Sequence, residues 1–380
     1  MIDRLLERAL EEKLKQRDRL VSTLSEREVE EARRDPHAKR RPRPCGLTIH
    51  PAVGCDRGCL YCYVPSIIGE GSIKINPLSP EQLVLSLLEN PYFLPGANGT
   101  LLAVGSVTEP FLNETVTLKT LEYVRAFRRL LGNPVQIATK PYYSAELVRA
   151  LVDAVEPRAS ILVTIVTLKH AKLLEPRAPE PEERFEFMRA LVKGGLSASL
   201  FLRPIVPGTT EMEAKEVLER TLEAGVRSVV IGTLRVNWEI LDRLRALSAS
   251  YKHILSRVRE VPTGSMQVAI EGSDLKKKVE GMARRLGFVV FPSSCSANVM
   301  SHDLSCAACS MGPCGSLENL PKIDCSCIHS SLEILGERPL QVIIEGNTIK
   351  IRLRKRARKR AAIIGTIIQT ITKRQVRFFE

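Results

Sequence analysis

No run in this chain approaches the roughly 20 apolar residues that a membrane span needs. The first residues, Met1-Ile2-Asp3-Arg4-Leu5-Leu6-Glu7-Arg8, lack the apolar centre of a secretory signal, so the expectation is a soluble protein in the cytoplasm. Internal repeats are absent, which excludes solenoid and propeller architectures. Glutamine is scarce, with seven residues, while Glu, Lys and Arg abound, a bias that points to a thermophilic source. A length of 380 residues excludes a peptide ligand or a disulfide mini-scaffold. The 44% hydrophobic and 26% charged content is that of a globular chain rather than a disordered one.

Acidic residues are almost missing from one region. The net charge of +13 divides as 13 Lys and Arg against 10 Asp and Glu in residues 1–44, 32 against 32 in 45–348, and 11 against 1 in 349–380. The body is neutral and the tail strongly basic. Ten cysteines in a reducing compartment point to metal ligation or redox chemistry before disulfides, with hyperthermophiles the known exception.

Residues 2–34 read as one or two amphipathic helices forming an arm, followed by the Pro-rich basic linker Lys39 to Arg43. From there short apolar runs alternate with longer amphipathic ones. Strands are expected at 46–52, 100–105, 134–139, 159–166, 198–205 and 227–233. The helices between them are expected at 79–89, 115–131, 144–154, 180–193 and 211–224, with another at 238–250. Six strand-helix units predict an α/β fold with a parallel sheet, either a partial (β/α)6 barrel or a doubly wound sheet, because the length falls short of eight units. Asp274 to Gly287 predicts a last helix. Residues 292–330 lack apolar periodicity and read as a Cys-rich segment that needs a cross-link to fold. Residues 339–354 and 361–379 read as β-hairpin material around a basic block. The domain expectation is therefore 1–44, 45–291, 292–330 and 331–380.

The sharpest motif is Gly54-Cys55-Asp56-Arg57-Gly58-Cys59-Leu60-Tyr61-Cys62, directly after the first strand. Three thiolates on one tight loop can ligate three irons of a cubane [4Fe-4S] cluster and leave the fourth iron open; a zinc loop or buried thiols are the other readings. Cys55, Cys59, Tyr61 and Cys62 resemble the signature of the radical S-adenosylmethionine (SAM) superfamily. The resemblance implies a partial (β/α)6 barrel and a [4Fe-4S] cluster whose open iron is chelated by the amino and carboxylate groups of SAM. It further implies reductive cleavage of SAM to a 5′-deoxyadenosyl radical that takes hydrogen from a substrate, and a donor such as ferredoxin or flavodoxin.

The same resemblance covers Ser106, Thr108 and Glu109 at the end of the second strand, where the superfamily commonly has Gly-Gly-Glu-Pro; Glu109 would receive the SAM ammonium. Thr108-Glu109-Pro110, Ala138-Thr139-Lys140, Glu175-Pro176-Arg177 and Arg203 to Gly208 look like the spore photoproduct lyase-like branch. Lys140 is a candidate contact for the SAM carboxylate or ribose because it ends a strand, where such folds bind ligands, Arg203 is a second candidate at the fifth-strand end, and the branch implies a hydrogen-donor role for Cys295 in Ser294-Cys295-Ser296-Ala297-Asn298.

Cys306, Cys309, Cys314, Cys325 and Cys327, with Cys295 before them, form a second group. An iron-sulfur cluster, a structural Zn or disulfides would each account for it. Lys350, Arg352, Arg354, Lys355, Arg356, Arg358, Lys359 and Arg360 call for a polyanion, and with few aromatics nearby the expected mode is tracking of a nucleic acid backbone. The functional expectation is a radical SAM enzyme acting on nucleic acid. Two rivals stand beside it: a radical SAM enzyme with a protein or small-molecule substrate, and a zinc-stabilised nucleic-acid-binding protein without catalysis.

Overall fold

The computed structural model describes residues 2–43, 46–69 and 71–380, and only the backbone of Arg356. Pro44 and Cys45, where the arm was expected to give way to the barrel, lie outside the described residues.

Seven parallel strands form the central sheet in chain order: β1 Gly46–Ile49, β2 Leu101–Val104, β3 Val135–Thr139, β4 Ser160–Thr164, β5 Ser197–Ile205, β6 Ser228–Thr233 and β7 Val289–Phe291. Registers such as Gly46↔Leu101 and Val289↔Ser228 fix the two edges. The six expected strands are present. The seventh is the apolar run that follows the last expected helix, short enough for periodicity alone not to separate it from a helix end. The helices α1 Ile2–Thr23, α2 Glu26–Arg34, α3 Pro80–Glu89, α4 Glu114–Leu130, α5 Ala145–Ala154, α6 Pro181–Lys193, α7 Thr210–Glu223 and α8 Ser273–Arg285 cover the outside. Their starts follow from local chemistry. Ser79 and Gln82 make a reciprocal capping box at α3, and Ser144 accepts from Leu147 N at α5.

The outer core lies between this sheet and the helices and includes Leu83, Phe127, Ile137, Ile161, Met188 and Leu218. The inner face of the sheet is thinner: Leu162, Val230 and Phe291 pack on Ala297. Ala297 belongs to α9 Ser294–Ser301, so the Cys-rich segment is not all loop. It sends a helix into the barrel, held by Asn298 Nδ2, which donates to Pro134 O at 3.3 Å.

The arm and the tail share a second core in which Ile2, Leu6, Cys327, Ile349, Ile351, Ile364, Ile367, Ile368 and Ile371 are buried. It is built from α1, α10 Cys325–Ile334, the strands β8 Gln341–Glu345, β9 Thr348–Arg352 and β10 Gln375–Phe378, and α11 Ala361–Thr372. The expected hairpin turns at Gly346-Asn347, with β8 antiparallel to β9. Residues 361–372, expected as strand, are helical. Isoleucine costs up to about 0.7 kcal/mol each in a helix, whereas burying each one contributes about 1.5–3 kcal/mol, and the 364/367/368/371 spacing buries all four on one helical face. Among the described residues no helix is long and apolar enough to cross a membrane.

Candidate active site

The cysteine loop leaves β1 and returns under the carboxyl ends of the strands. Gly54 and Gly58 have φ of +101° and +67°, in the region that favours glycine. A Cβ at Gly54 would lie 1.8 Å from Ser72 O. Arg57 anchors the loop through its Nη1, which donates to Arg177 O at 3.0 Å, and Arg177 Nε donates back to Asp56 O. Arg243 Nη2 donates to Cys62 O at 2.5 Å.

This loop forms one wall of a cavity of about 390 Å³, within the range that holds a drug-sized ligand. Cys55, Cys59, Tyr61, Cys62, Ser106, Thr108, Glu109, Lys140 and Arg203 all line it. Sequence distances of up to 148 residues, from Cys55 to Arg203, therefore collapse into one pocket. Cys295 does not line it; the neighbouring Ser294 does.

Glu109 is buried and tightly held. Its carboxylate accepts from Lys140 N at 2.7 Å, from Phe111 N at 3.2 Å and from Thr139 Oγ1. A carboxylate offers about four acceptor sites, so room remains for one further donor. Ser106 Oγ and Thr108 Oγ1, beside it, are buried without any partner. Unpaired buried hydroxyls are costly, and here they face a ligand cavity.

Beneath the loop lies a buried charge network. Arg184, fully enclosed, donates from Nη1 to Glu175 Oε2 at 2.5 Å and from Nε to Pro179 O at 2.9 Å. Tyr61 donates its hydroxyl to the other Glu175 oxygen, and Lys140 Nζ lies 3.9 Å from that same oxygen. Burial works against the Glu175 charge, but Arg184 and Lys140 overcome it and hold the carboxyl below its ordinary range. Burial likewise opposes the Lys140 charge, yet Cys59 and Glu175 keep the ammonium above its usual pKa. Burial pushes the Cys59 thiol up to about 12 and raises Cys55 as well. Deprotonating these thiols therefore needs a compensating positive charge. Glu175 appeared in the sequence only as part of a branch motif, and Arg184 as one charge on a helix; neither showed that they meet under the cysteine loop.

Arg203 is aimed by an irregularity in β5. The register with β6 shifts between Leu202 and Ile205, and such a shift turns a side chain away from its alternating position. Gly232 opposite has no side chain, and a Cβ there would lie 2.5 Å from Arg203 Cδ. Arg235, also on the cavity wall, bonds Gln267 O at 2.7 Å. Burial and the Arg235 charge both depress the Arg203 pKa. Among the described residues neither arginine has a carboxylate partner.

Among the described residues no three Cys, His, Asp or Glu side chains converge closely enough to hold a single metal ion. A zinc ion would draw four sulfurs to about 3.8 Å from one another, given Zn–S bonds of about 2.3 Å in a tetrahedron. Three thiols spread along a cavity wall suit a cubane, which offers a separate iron to each.

Residues 49–221 match the model of the radical SAM superfamily. Residues 49–221 are therefore a radical SAM domain. The chain is 25% identical over 197 residues to "Uncharacterized protein ORF301" of Acidianus two-tailed virus, a match that covers 47% of this chain and 62% of that relative. Its fold is that of spore photoproduct lyase. The structure of that protein complexed with dinucleoside spore photoproduct aligns at TM-score 0.55 and 14% identity, over 68% of this chain and 79% of the other. A mutant of it with bound AdoMet and dinucleoside spore photoproduct aligns at TM-score 0.53 and 14% identity, over 70% and 85%. The family implies a [4Fe-4S] cluster and SAM, and the residues fit both. The three thiols of one loop share a wall with the two unpartnered hydroxyls and the buried carboxylate.

The remaining expected residues lie elsewhere. Cys306, Cys309 and Cys314 fold together near the amino end of β2, where Leu101 packs on Cys306 and Cys314. Cys325 and Cys327 sit on α10. Cys325 Sγ is 3.7 Å from Val342 O, and Cys327 is buried in the second core. Among the described residues no two cysteines form a disulfide. In the tail, Lys350 pairs with Glu345 at 2.6 Å, Arg358 with Glu380 at 3.6 Å and Arg360 with Glu337 at 2.8 Å. Arg352, Arg354, Lys355 and Lys359 are exposed and have no carboxylate partner among the described residues. The Arg356 side chain lies outside the described residues. In the basic linker Arg40 is tied to Thr48 O at 2.9 Å, so it serves packing.

Proposed function

We propose that this radical SAM enzyme acts on a nucleic acid, admitting part of the polymer to the cavity and fastening its backbone with arginines. The observation that carries this reading is the Arg203–Arg235 pair, two guanidiniums lining the cavity with no carboxylate to neutralise either. Both are exposed to the cavity and repel each other, so an anion that bridges them is favoured, and a phosphodiester is an anion of suitable size. Exposed Tyr142 supports it. Its ring lies 4.7 Å from the guanidinium carbon of Arg57 on the cavity wall, where a base could stack. The likeness to spore photoproduct lyase in complex with a dinucleoside agrees with this substrate class.

In this reading Cys55, Cys59 and Cys62 hold the cluster. Ser106, Thr108 and Glu109 receive the SAM ammonium, and Lys140 stands behind Cys59 and offsets its thiolate charge. When bound, the cluster and SAM supply a carbon-centred radical able to take hydrogen. Tyr61, whose hydroxyl is spent on Glu175, locks the loop and is not itself a SAM ligand. An external one-electron donor of the ferredoxin or flavodoxin class completes the system. The unpaired tail cations Arg352, Arg354, Lys355 and Lys359 add a second, sequence-independent hold.

The test is 5′-deoxyadenosine formation by anaerobic holoenzyme, with DNA, RNA, peptide and small-molecule pools added in turn, followed by mass spectrometry of the pool that stimulates it. Nucleic acid is expected to stimulate, and Arg203→Ala/Arg235→Ala to lose that stimulation while keeping basal SAM cleavage. Stimulation by peptide alone would overturn the substrate class. Neutralising the four tail cations to Gln should lower the salt slope of nucleic acid binding by up to about 3.6, at about 0.9 per phosphate contact. Truncating 349–380 is the wrong experiment, because it removes Ile349, Ile351, Ile364, Ile367, Ile368 and Ile371 from the second core.

A further inference from the structure

The segment from His302 to Asp324 poses a folding problem. It contains one three-residue 3-10 turn, Leu317–Asn319, and no named helix or strand besides, yet Ser305 to Ala308 and Cys314 within it are buried. Stretches of this length without regular structure inside a compact body need some other source of order. Its order comes from a knot of backbone around cysteines. Cys306 and Cys314 form an isolated antiparallel bridge, with Cys306 N donating to Cys314 O at 2.8 Å and Cys314 N to Cys306 O at 2.7 Å. Gly312 N turns back to Cys309 O at 3.2 Å, and a Cβ at Gly312 would meet Cys306 O at 3.1 Å. Cys306, Cys309 and Cys314 are therefore the corners of one tight loop.

The fourth thiol arrives from a different element. Cys295, in the first turn of α9, packs against the group formed by Cys306, Cys314, Ala308, Val299 and Leu101. Hydroxyls attend two of the sulfurs: Ser293 Oγ is 3.2 Å from Cys295 Sγ, and Ser296 Oγ is 3.0 Å from Cys314 Sγ. A tight loop and a helix thus bring four thiols to one place, an arrangement that suits a shared cationic group.

We infer that Cys295, Cys306, Cys309 and Cys314 ligate a second iron-sulfur cubane, distinct from the cluster at Cys55, Cys59 and Cys62. The choice of cubane over zinc follows from the same spacing argument as at the first site: no three of these side chains converge on a single-ion position. With four cysteines the second cluster has no open iron, so it does not bind SAM. Its place in the fold indicates what it does. Ser294 lines the active-site cavity, and its carbonyl accepts from Gln136 Nε2, on the same wall, at 2.7 Å. Cys295, the next residue, points to the thiol group. The cluster thus pins α9, and with it one side of the active-site cavity. It also joins the tail to the body, since Ala307 N donates to Lys373 O at 2.7 Å. Cys295 is then a ligand and not a hydrogen donor. Cys325 and Cys327 take no part.

The test is iron content with Mössbauer and EPR spectroscopy on full-length, anaerobically reconstituted protein. Wild type is expected to hold about eight irons per chain. The triple variant Cys55→Ala/Cys59→Ala/Cys62→Ala, which removes the first cluster, should remain brown with about four. Cys325→Ser/Cys327→Ser should keep all eight. If the triple variant is iron-free, or carries zinc in place of iron, the inference is wrong. Loss of iron in Cys325→Ser/Cys327→Ser would overturn the ligand set. Cys306→Ala/Cys314→Ala should hold about four irons, and should unfold at lower temperature than wild type; eight irons in that variant would also refute the site. These readouts do not depend on SAM cleavage, so they stand or fall separately from the proposed substrate.

Discussion

The two ends of the central sheet carry cysteine groups of opposite construction. At the carboxyl end, three cysteines come from eight consecutive residues, Cys55 to Cys62, and the loop opens onto a cavity. At the amino end, four come from two separated elements, and they close on apolar side chains. A set drawn from one short loop can leave a coordination position free for chemistry. A set that joins a helix to a distant loop spends its ligands on cross-linking. Local spacing therefore predicts the reactive site, and only the fold assembles the structural one.

The largest effect should come from setting the two groups against each other in one assay. Cys59→Ala should reduce SAM cleavage to the uncatalysed background with little change in thermal unfolding. Cys314→Ala should do the reverse, lowering the unfolding temperature while SAM cleavage persists in the folded fraction. Equal loss of cleavage in both would erase the distinction.

Next in size is the charge network under the loop at the carboxyl end. Arg184→Met leaves the Glu175 carboxylate buried without its guanidinium, at a cost of about 3–5 kcal/mol. Denaturant unfolding measures this, and Glu175→Gln/Arg184→Met should recover part of the loss. A cost near zero would mean that the network is relaxed by water and does not brace the cysteine loop.

Smaller again is a pH effect on the same side of the molecule. His50, just beyond β1, is held neutral down to a pKa of about 3, mainly by burial and then by the Arg40 and His37 charges. The unfolded chain takes up this proton near the ordinary value of 6.5, so it binds more protons than the folded chain between pH 6.5 and 3. The stability that His50 contributes is complete above 6.5 and declines as pH falls through that window, by up to about 1.4 kcal/mol per unit. His50→Gln should flatten this limb. An unchanged acid limb would assign it to the carboxylates instead.

The six expected strands and the helices between them were legible because each carries a complete local signal, as with the capping box at Ser79 and the apolar run of Leu101 to Val104. The loop that carries Cys55, Cys59 and Cys62 was legible for the same reason. What escaped the sequence needed partners far away. Nothing about Arg184 on α6 shows that its guanidinium reaches under a loop more than 120 residues earlier. The isoleucine-rich run at 361–372 favours a strand by propensity, and became a helix because α1 and α10 offer it a face to bury. Six cysteines between 295 and 327 look like one set along the chain, and the fold divides them into four and two.

By itself the sequence determined the sheet, the three-cysteine loop and the concentration of positive charge in the tail, since periodicity, spacing and net charge are properties of neighbours. Only the tertiary structure decided which charges remain unpaired, where Cys295 points and what braces the cavity. Those depend on burial and on contacts between residues that chain order keeps apart.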